Sequence, residues 1–195
     1  MTHFYNTLST QSLTLDVAEL AARLQVRRGY THQAIEAGIH NLMGLADCRY
    51  CARLVSIVWQ EGIPDLGFGP SNSTQLSHRL AGCNRAFVLA VTTGLGIDRL
   101  LARLNATSSV EHFIADAVGS ALAESACELA CRELAQDLCC TPRFSPGYGD
   151  LPLEIQPALL DFLDARKLLG IHLNKSLLMT PQKSITAIMG IKDEE

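Results

Sequence analysis

Apolar residues recur every three to four positions along much of the chain, a spacing that predicts amphipathic helices. The first such segment covers residues 16–24, with Thr14 or Asp16 as its N-cap. A second begins after Thr31, which can cap it, and extends to about residue 47. The longest extends from about residue 109 to 136. Shorter helices are predicted at 73–80, at 97–104, at 151–163 and in a segment ending near Gly170.

Other segments have the β-branched and apolar content of strands. Residues 54–59 form one such run, and the continuous apolar run 86–92 is typical of a buried strand. Two more strands are predicted at 176–179 and 184–189, with a turn at 180–183. Helices and strands interleave without a regular β–α repeat. The pattern therefore predicts an α+β fold, with a mixed or antiparallel sheet packed against long helices.

Length and composition indicate one folded domain covering residues 1–195, with a helical N-terminal part at 1–50. Apolar residues make up 48% of the chain and charged residues 18%, which is typical of globular proteins. A net charge of −4 gives no electrostatic reason to expect nucleic-acid binding. No window is apolar enough to span a membrane, and the N-terminus lacks the features of a signal peptide. We expect a cytoplasmic protein.

Seven cysteines leave two interpretations open. Cys48 and Cys51 have the spacing of a metal knuckle or a redox pair, but Cys83 stands alone and supplies no matching pair. Cys127 and Cys131 lie four positions apart on a predicted helix, which also suits two small buried residues. Ordinary buried thiols are favoured, and a redox or metal-binding protein using Cys48, Cys51 and Cys83 stays an alternative.

Residues 92–96, Thr-Thr-Gly-Leu-Gly, connect a predicted strand to a predicted helix. Paired glycines at this spacing occur in nucleotide-binding turns, but the third glycine of that fingerprint is absent here. No ribose-binding acid follows at the expected distance. The pattern favours a tight strand-to-helix turn, and direct ligand contact remains open.

The segment 143–150, Arg-Phe-Ser-Pro-Gly-Tyr-Gly-Asp, carries the strongest functional signal in the chain. Its proline fixes the backbone and its glycines allow a ligand to approach the backbone closely. Arg143 adds a planar, permanently charged group suited to a carboxylate. These features predict a ligand-binding loop for an anionic group.

A second candidate lies on the long predicted helix. One part of that helix is narrow because its side chains are small: Gly119, Ser120, Ala121 and Ala123. Glu124 follows this narrow part, with Glu128 one turn later on the same face. An acidic pair of this kind often belongs to a solvent-exposed helix face. Because this pair lies beside the narrow part of the helix, a functional role for the carboxylate remains an alternative.

The segment 142–152, with its R-x-x-x-G-Y motif, resembles the activation domain of cobalamin-dependent methionine synthase, in its free-standing form. The resemblance is specific over about residues 116–191 and looser before that, with a best-matched core at 84–191. It continues through further matching segments at 117–124, 169–171, 176–181 and 184–187.

The resemblance implies that the protein binds S-adenosylmethionine and supports reductive remethylation of cob(II)alamin. Because no cobalamin-binding module is recognisable in the chain, the cobalamin is expected on a separate methionine synthase or corrinoid protein. A flavodoxin or ferredoxin is implied as the electron donor. The protein would then be an accessory reactivation module rather than an independent enzyme.

The resemblance also implies roles for individual residues. Arg143 matches the arginine that contacts the methionine carboxylate, and Glu124 matches a glutamate that reaches polar groups of the ligand, plausibly its ammonium. Tyr148 matches the tyrosine near the substrate methyl group and the cobalamin face, and it is the candidate catalytic residue. The remaining ligand-contacting positions of the loop are Phe144, Ser145, Pro146 and Gly147.

The chain departs from the family pattern in the supporting contacts. It has no clear counterpart to an acidic residue on an N-terminal segment, to a glutamate just before Arg143, or to a tyrosine in a later strand. These departures suggest that a partner completes the site. A third possibility is a scaffold that kept the fold and lost the ligand, which predicts that Arg143 and Glu124 point away from any shared pocket.

Overall fold

The computed structural model of the protein describes residues 2–25 and 32–192, and these contain eight strands, seven α-helices and two short 3-10 helices. The strands are β1 (Thr2–Thr7), β2 (Arg49–Ser56), β3 (Val58–Gln60), β4 (Ile63–Asp65), β5 (Cys83–Thr92), β6 (His172–Leu173), β7 (Met179–Thr180) and β8 (Ser184–Lys192). The α-helices are α1 (Val17–Gln25), α2 (His32–Met43), α3 (Thr74–Leu80), α4 (Leu95–Thr107), α5 (Ser109–Ala135), α6 (Gln156–Phe162) and α7 (Ala165–Leu169). The 3-10 helices are Thr10–Ser12 and Leu153–Ile155.

Four strands form the central sheet in the order β1, β2, β5, β8, and every neighbouring pair is antiparallel. β2 pairs with β5 along its whole length, from Arg49 opposite Thr92 to Ser56 opposite Arg85. The other strands form two small antiparallel pairs, β3 with β4 and β6 with β7. The predicted α+β class is confirmed, and the sheet is wholly antiparallel.

The two faces of the central sheet bury separate hydrophobic cores. Because side chains alternate along a strand, β5 directs Phe87 and Leu89 into one core and Val88 into the other. The first face is covered by α1, α2, α4 and α5, which we call the helix layer. The second is covered by α3, α6 and α7, the small-helix layer. Each fully buried large apolar side chain contributes about 1.5–3 kcal/mol to the free energy of folding.

Helix α5 is the centre of the helix layer. The Ser108 hydroxyl caps its first turn by accepting a hydrogen bond from the backbone N–H of Glu111, at 3.3 Å. A methyl group added at Gly119 would lie 3.2 Å from both Ile97 Cγ2 and Lys183 Cε, so the small residue lets α4 and β8 approach closely. Within the described residues no helix, α5 included, is long and apolar enough to cross a membrane.

The outer edge of β8 is covered by residues 139–144, which we call the edge segment. The backbone groups of Phe144 and Ile188 exchange two hydrogen bonds of 2.8 Å, and Thr141 donates to the carbonyl of Gly190 at 2.8 Å. This segment therefore extends the sheet irregularly and leads directly into the candidate loop.

Most of the predicted helices are present within a few residues of their expected bounds. The predicted cap Thr31 lies outside the described residues. The N-terminal part is not wholly helical as predicted, because β1 lies within it and pairs with β2. The β1 side chains are mostly exposed. The sequence of β1 therefore lacks the alternation of apolar and polar residues that would predict a strand.

The predicted strands are confirmed in part. The runs 86–92 and 184–189 lie within the longer strands β5 and β8. The run 54–59 is divided, because β2 ends at Ser56 and β3 begins at Val58. The strand predicted at 176–179 is wrong for most of its length. The Asn174 side chain accepts hydrogen bonds from the backbone N–H groups of Ser176 and Leu178, which bends this segment into a turn.

Replacing Leu122 with alanine should destabilise the protein by about 2–5 kcal/mol, because this fully buried side chain of α5 would leave a cavity. Chemical denaturation of wild type and variant measures the difference. Val110→Ala, at an exposed position of the same helix, is the control and should change the free energy of unfolding by less than about 0.5 kcal/mol. Equal effects of the two substitutions would contradict the position of α5 against the sheet.

Candidate functional site

The loop 143–150 is fixed at its end by Asp150. This carboxylate accepts hydrogen bonds from the hydroxyls of Ser73 and Thr74 and from the backbone N–H groups of Thr74, at 2.8 Å, and Gln75, at 3.2 Å. Asp150 thereby caps the N-terminus of α3 from a distant part of the chain. The hydrogen bonds from Ser73 and Thr74 lower the pKa of Asp150 to about 2.

Two glycines give the loop its shape. Gly147 has a φ of 86° and donates a hydrogen bond to the carbonyl of Leu151 at 2.8 Å. Gly149 has a φ of 55°, and a side chain there would overlap the amide of Gln75. Both positions therefore disfavour any larger residue, which confirms that the loop glycines adopt positive φ.

Arg143, at the start of the loop, forms an ion pair with Glu124 on α5. The guanidinium Nη2 donates to Glu124 Oε2. The Arg143 side chain is 26% exposed and that of Glu124 is 46% exposed. The two predicted site residues, 19 positions apart in the sequence, are thus in direct contact. The scaffold alternative concerns whether both residues face one ligand pocket; Glu124 lines the cavity described below, whereas Arg143 contacts Glu124 without lining that cavity.

The surroundings of Arg143 keep it charged. Burial opposes its charge and by itself would lower its pKa. The neighbouring sulfur of Cys127 and the carboxylate of Glu124 act in the opposite direction, and the pKa of Arg143 is raised overall. Arg143 is therefore a fixed cation whose nearest anion is a protein carboxylate.

A cavity of about 390 Å³, which we call the helix cavity, opens beside Glu124 between the N-terminal segment and α5. Asp16 lies across it, where its carboxylate also caps α1 by accepting from the backbone N–H groups of Ala18 and Glu19. The charged residues in the cavity walls are four acids and one arginine. The full set is Thr14, Leu15, Asp16, Glu19, Leu20, Ala121, Glu124, Ser125, Glu128 and Arg132.

A second cavity of about 540 Å³, the loop cavity, is lined in part by the candidate loop. The Ser145 side chain lines it and is only 6% exposed, yet its hydroxyl has no hydrogen-bond partner. An unpaired buried hydroxyl is unfavourable, so this position suits a polar group of a ligand. The walls are Ser145, Pro146, Tyr148, Leu153, Gln156, Asn174, Leu177, Leu178, Met179, Thr180, Gln182, Lys183, Ser184, Ile185 and Thr186.

The aromatic residues of the loop have different environments. Phe144 is buried in the small-helix layer, and its ring stacks edge-on against that of Tyr148 with 6.4 Å between centroids. Tyr148 is 52% exposed at the rim of the loop cavity. Phe144 therefore anchors the loop, while Tyr148 is available to a ligand or to a partner.

Lys183, directly before β8, forms a second connection to α5. Its ammonium donates to Asp116 Oδ1 at 2.8 Å and to the Ser120 hydroxyl at 2.9 Å, and its side chain is 11% exposed. The aliphatic part crosses α5 at Gly119, where no side chain obstructs it. The narrow part of α5 thus admits a neighbouring element, as its small residues predict.

Sequence reasoning did not assign Asp16, Lys183 or Asp116 to the site. The sequence predicts Asp16 as a helix cap. Because capping already explains an aspartate at this position, nothing in the sequence indicates that Asp16 also lines a cavity. Lys183 was placed in a turn between two strands. Because the cavity walls combine segments that are far apart in the sequence, no local pattern could have grouped these residues.

The glycines of residues 92–96 have a packing role. A side chain at Gly94 would come within 2.9 Å of Asp47 Cβ, and one at Gly96 would overlap the carbonyl oxygen of Leu45. Both glycines let the start of α4 pack against the turn that follows α2. This arrangement agrees with the tight strand-to-helix turn favoured by the sequence.

The cysteines of the metal or redox alternative do not form a group. Cys48 lies in the core under the helix layer, whereas Cys51 and Cys83 lie in the core on the other face of the sheet. Burial, with a smaller effect of Asp47, raises the pKa of Cys48 to about 11, and burial raises that of Cys51 to about 12. Across residues 2–25 and 32–192 no cluster of three or more His, Cys, Asp or Glu side chains could hold a metal ion.

The architecture defines a class of α+β domain: a four-stranded antiparallel sheet between a layer of long helices and a layer of short ones, with the loop 143–150 at one edge. The chain is similar to the crystal structure of the MetH reactivation domain bound to AdoHcy, with a TM-score of 0.69 and 14% sequence identity. The match covers 100% of this chain and 80% of that one.

This similarity confirms the fold expected from the resemblance to the activation domain of methionine synthase. No family model matches the chain, and no curated protein matches its sequence. At this level of identity the similarity establishes the fold, and the roles of individual residues depend on the geometry described above.

Replacing Asp150 with asparagine should lower the melting temperature, because the charged cap of α3 is lost. The pKa of Asp150 in the folded protein, about 2, is below its ordinary value of 3.8. Its carboxylate therefore stabilises the fold above about pH 4, and this contribution is lost as the pH falls toward 2.

Melting curves of wild type and Asp150→Asn measured from about pH 7 down to about pH 3 should therefore converge as the pH is lowered. Asp137→Asn, at an exposed position after α5, is the control. A constant difference between wild type and Asp150→Asn over this range would contradict the capping role.

Proposed function

We propose that the protein binds S-adenosylmethionine and supports reductive remethylation of cob(II)alamin carried by a separate protein. The observation that carries this proposal is the Arg143–Glu124 pair, in which Glu124 lines the helix cavity and Arg143 begins the loop that lines the second cavity. The similarity to a reactivation domain crystallised with AdoHcy supports the ligand class.

The pair matches the two charges of an amino-acid zwitterion. The carboxylate of the ligand's methionine part replaces Glu124 as the partner of Arg143. The ammonium group of the same part replaces Arg143 as the partner of Glu124. Each charged side chain exchanges one partner for another, so no charge is left unpaired when the ligand enters. The acidic walls of the helix cavity, Asp16 among them, favour the ammonium end of the ligand.

The loop supplies contacts to the rest of the ligand. The unpaired hydroxyl of Ser145 is available as a hydrogen-bonding group, and Gly147 keeps side-chain bulk away from the backbone. Bound S-adenosylmethionine supplies a sulfonium methyl group that is already activated for transfer. The work of the protein is therefore to orient this group and to exclude water from it.

Tyr148 and Leu178 support the requirement for a second protein. Both line the loop cavity, and they are 52% and 60% exposed. Exposed apolar side chains at the rim of a site are suited to contact with a docked partner. We propose that this partner is a methionine synthase or another corrinoid protein, with a flavodoxin or ferredoxin as electron donor. The protein is then an accessory module rather than an independent enzyme.

The binding step is tested by calorimetry with S-adenosylmethionine and S-adenosylhomocysteine. Arg143→Ala should weaken binding about tenfold to a hundredfold, because a hydrogen-bonded charge is worth about 1.5–3 kcal/mol. Arg103→Ala, at an exposed position on α4, is the matched control and should leave the affinity unchanged. Arg143→Lys should recover only part of the loss, since lysine cannot form a bidentate pair.

Absence of binding to the wild-type protein, both alone and mixed with a corrinoid protein, would contradict the proposal. An equal affinity of wild type and Arg143→Ala would contradict the assigned site. Circular dichroism of each variant separates loss of binding from loss of folding.

The remethylation step is tested by the visible spectrum of a corrinoid protein in the cob(II)alamin state, mixed with this protein, S-adenosylmethionine and a one-electron donor. Tyr148→Ala should slow formation of methylcobalamin about tenfold or more while changing S-adenosylmethionine affinity little, because positioning of reacting groups has effects of this order or larger. Tyr5→Ala, a similarly exposed tyrosine on β1, is the control. Equal rates for the two variants would contradict the role of Tyr148.

A further inference from the structure

The free edge of the central sheet is strand β1. The order β1, β2, β5, β8 places β1 and β8 at the two ends of the sheet. The edge segment covers β8, whereas no strand or bridge within residues 2–25 and 32–192 pairs with the outer side of β1. Five of the six residues of β1 are exposed. This edge therefore presents backbone N–H and C=O groups to which another strand can bind.

The hydrogen bonds at the end of β1 identify which backbone groups point away from the sheet. Leu8, directly after β1, lies opposite Cys48 and donates to its carbonyl at 2.8 Å. Backbone groups alternate in direction along a strand, so the even-numbered residues of β1 bond to β2. The N–H and C=O groups of His3, Tyr5 and Thr7 therefore face outward.

A second copy of β1, running antiparallel, matches these outward groups. The N–H of Thr7 is already occupied, because it donates to the Asn6 side chain at 2.9 Å. With Phe4 on the two-fold axis, His3 of one copy lies opposite Tyr5 of the other. Each of these pairs exchanges both of its N–H···O hydrogen bonds. This register uses the free donors of the strand and leaves the Thr7 N–H with Asn6.

The side chains of β1 also favour this contact. The strand, Thr-His-Phe-Tyr-Asn-Thr, has no proline and no lysine, arginine or acidic residue, and its pairing with β2 has no bulge from residue 2 to residue 7. Charges, prolines and bulges protect exposed edge strands from pairing, so β1 is unprotected. The symmetric register opposes no like charges. It also places the two Phe4 side chains, each packed on Phe87 at 5.8 Å in its own copy, opposite each other.

We propose that β1 is an interaction surface for a second copy of this chain, which pairs with it antiparallel about Phe4. The two central sheets then form one continuous sheet, with four strands from each copy. Within each copy β8 lies three strand spacings, about 14 Å, from β1. The loop 143–150 of each copy is therefore at a far edge of the joint sheet, and the inference is independent of the ligand of that loop.

The association is tested by sedimentation equilibrium of the full chain. Because the interface is small, the dimer should be weak and should form over roughly 10–500 μM protein. Tyr5→Pro should weaken the dimer about tenfold or more, because proline removes an outward N–H without disturbing the pairing with β2. His3→Pro acts on the same register and should have the same effect. Tyr5→Thr keeps the N–H and is the matched control, which should dimerise as wild type does.

Hydrogen exchange followed by NMR locates the contact. The amide protons of His3 and Tyr5 should exchange rapidly at low protein concentration and become protected as the concentration rises. The amide of Thr7 keeps its bond to Asn6 and should show no such dependence. A chain that stays monomeric over this range would overturn the inference, as would a dimer equally strong in wild type and in a folded proline variant. If circular dichroism shows that the proline variants do not fold, the exchange of the wild-type amides decides.

Discussion

The backbone pairing of the edge segment with β8 determines the geometry of the candidate site. The two 2.8 Å hydrogen bonds between Phe144 and Ile188 fix the position of the loop on the sheet. Because neighbouring residues of an extended chain face opposite sides, a buried Phe144 directs Arg143 toward the other face, where α5 lies. The aromatic ring thus holds the loop in one layer while the guanidinium reaches Glu124 in the other.

The sequence predicted those parts of the molecule that local patterns determine. The bounds of α5 and the glycines of the loop follow from spacing and backbone freedom, and the R-x-x-x-G-Y motif indicated the fold. β1 was missed because an exposed edge strand has no apolar alternation. The segment after Asn174 was predicted as a strand because propensity ignores a side chain that accepts two backbone hydrogen bonds. The roles of Asp16 and Lys183 depend on contacts between distant segments, which no local pattern contains.

Two cross-connections give α5 a fixed position relative to the sheet. Arg143 reaches Glu124 from the edge segment, and Lys183 reaches Asp116 from the start of β8. Residues 116 and 124 are two turns apart, about 12 Å along the helix axis. The helix is therefore held at both ends of its narrow part.

The Arg143–Glu124 pair also bears on which ligands the proposed site would accept. A free guanidinium at the entrance of a cavity would attract chloride, phosphate and the many carboxylates of a cell extract. Because Glu124 is already paired with Arg143, a simple anion can bind Arg143 only if the Glu124 carboxylate loses its partner. A molecule that brings its own positive charge alongside the negative one has no such penalty. Under the proposed function, the pair would in this way disfavour ordinary anions and favour amino-acid-like ligands.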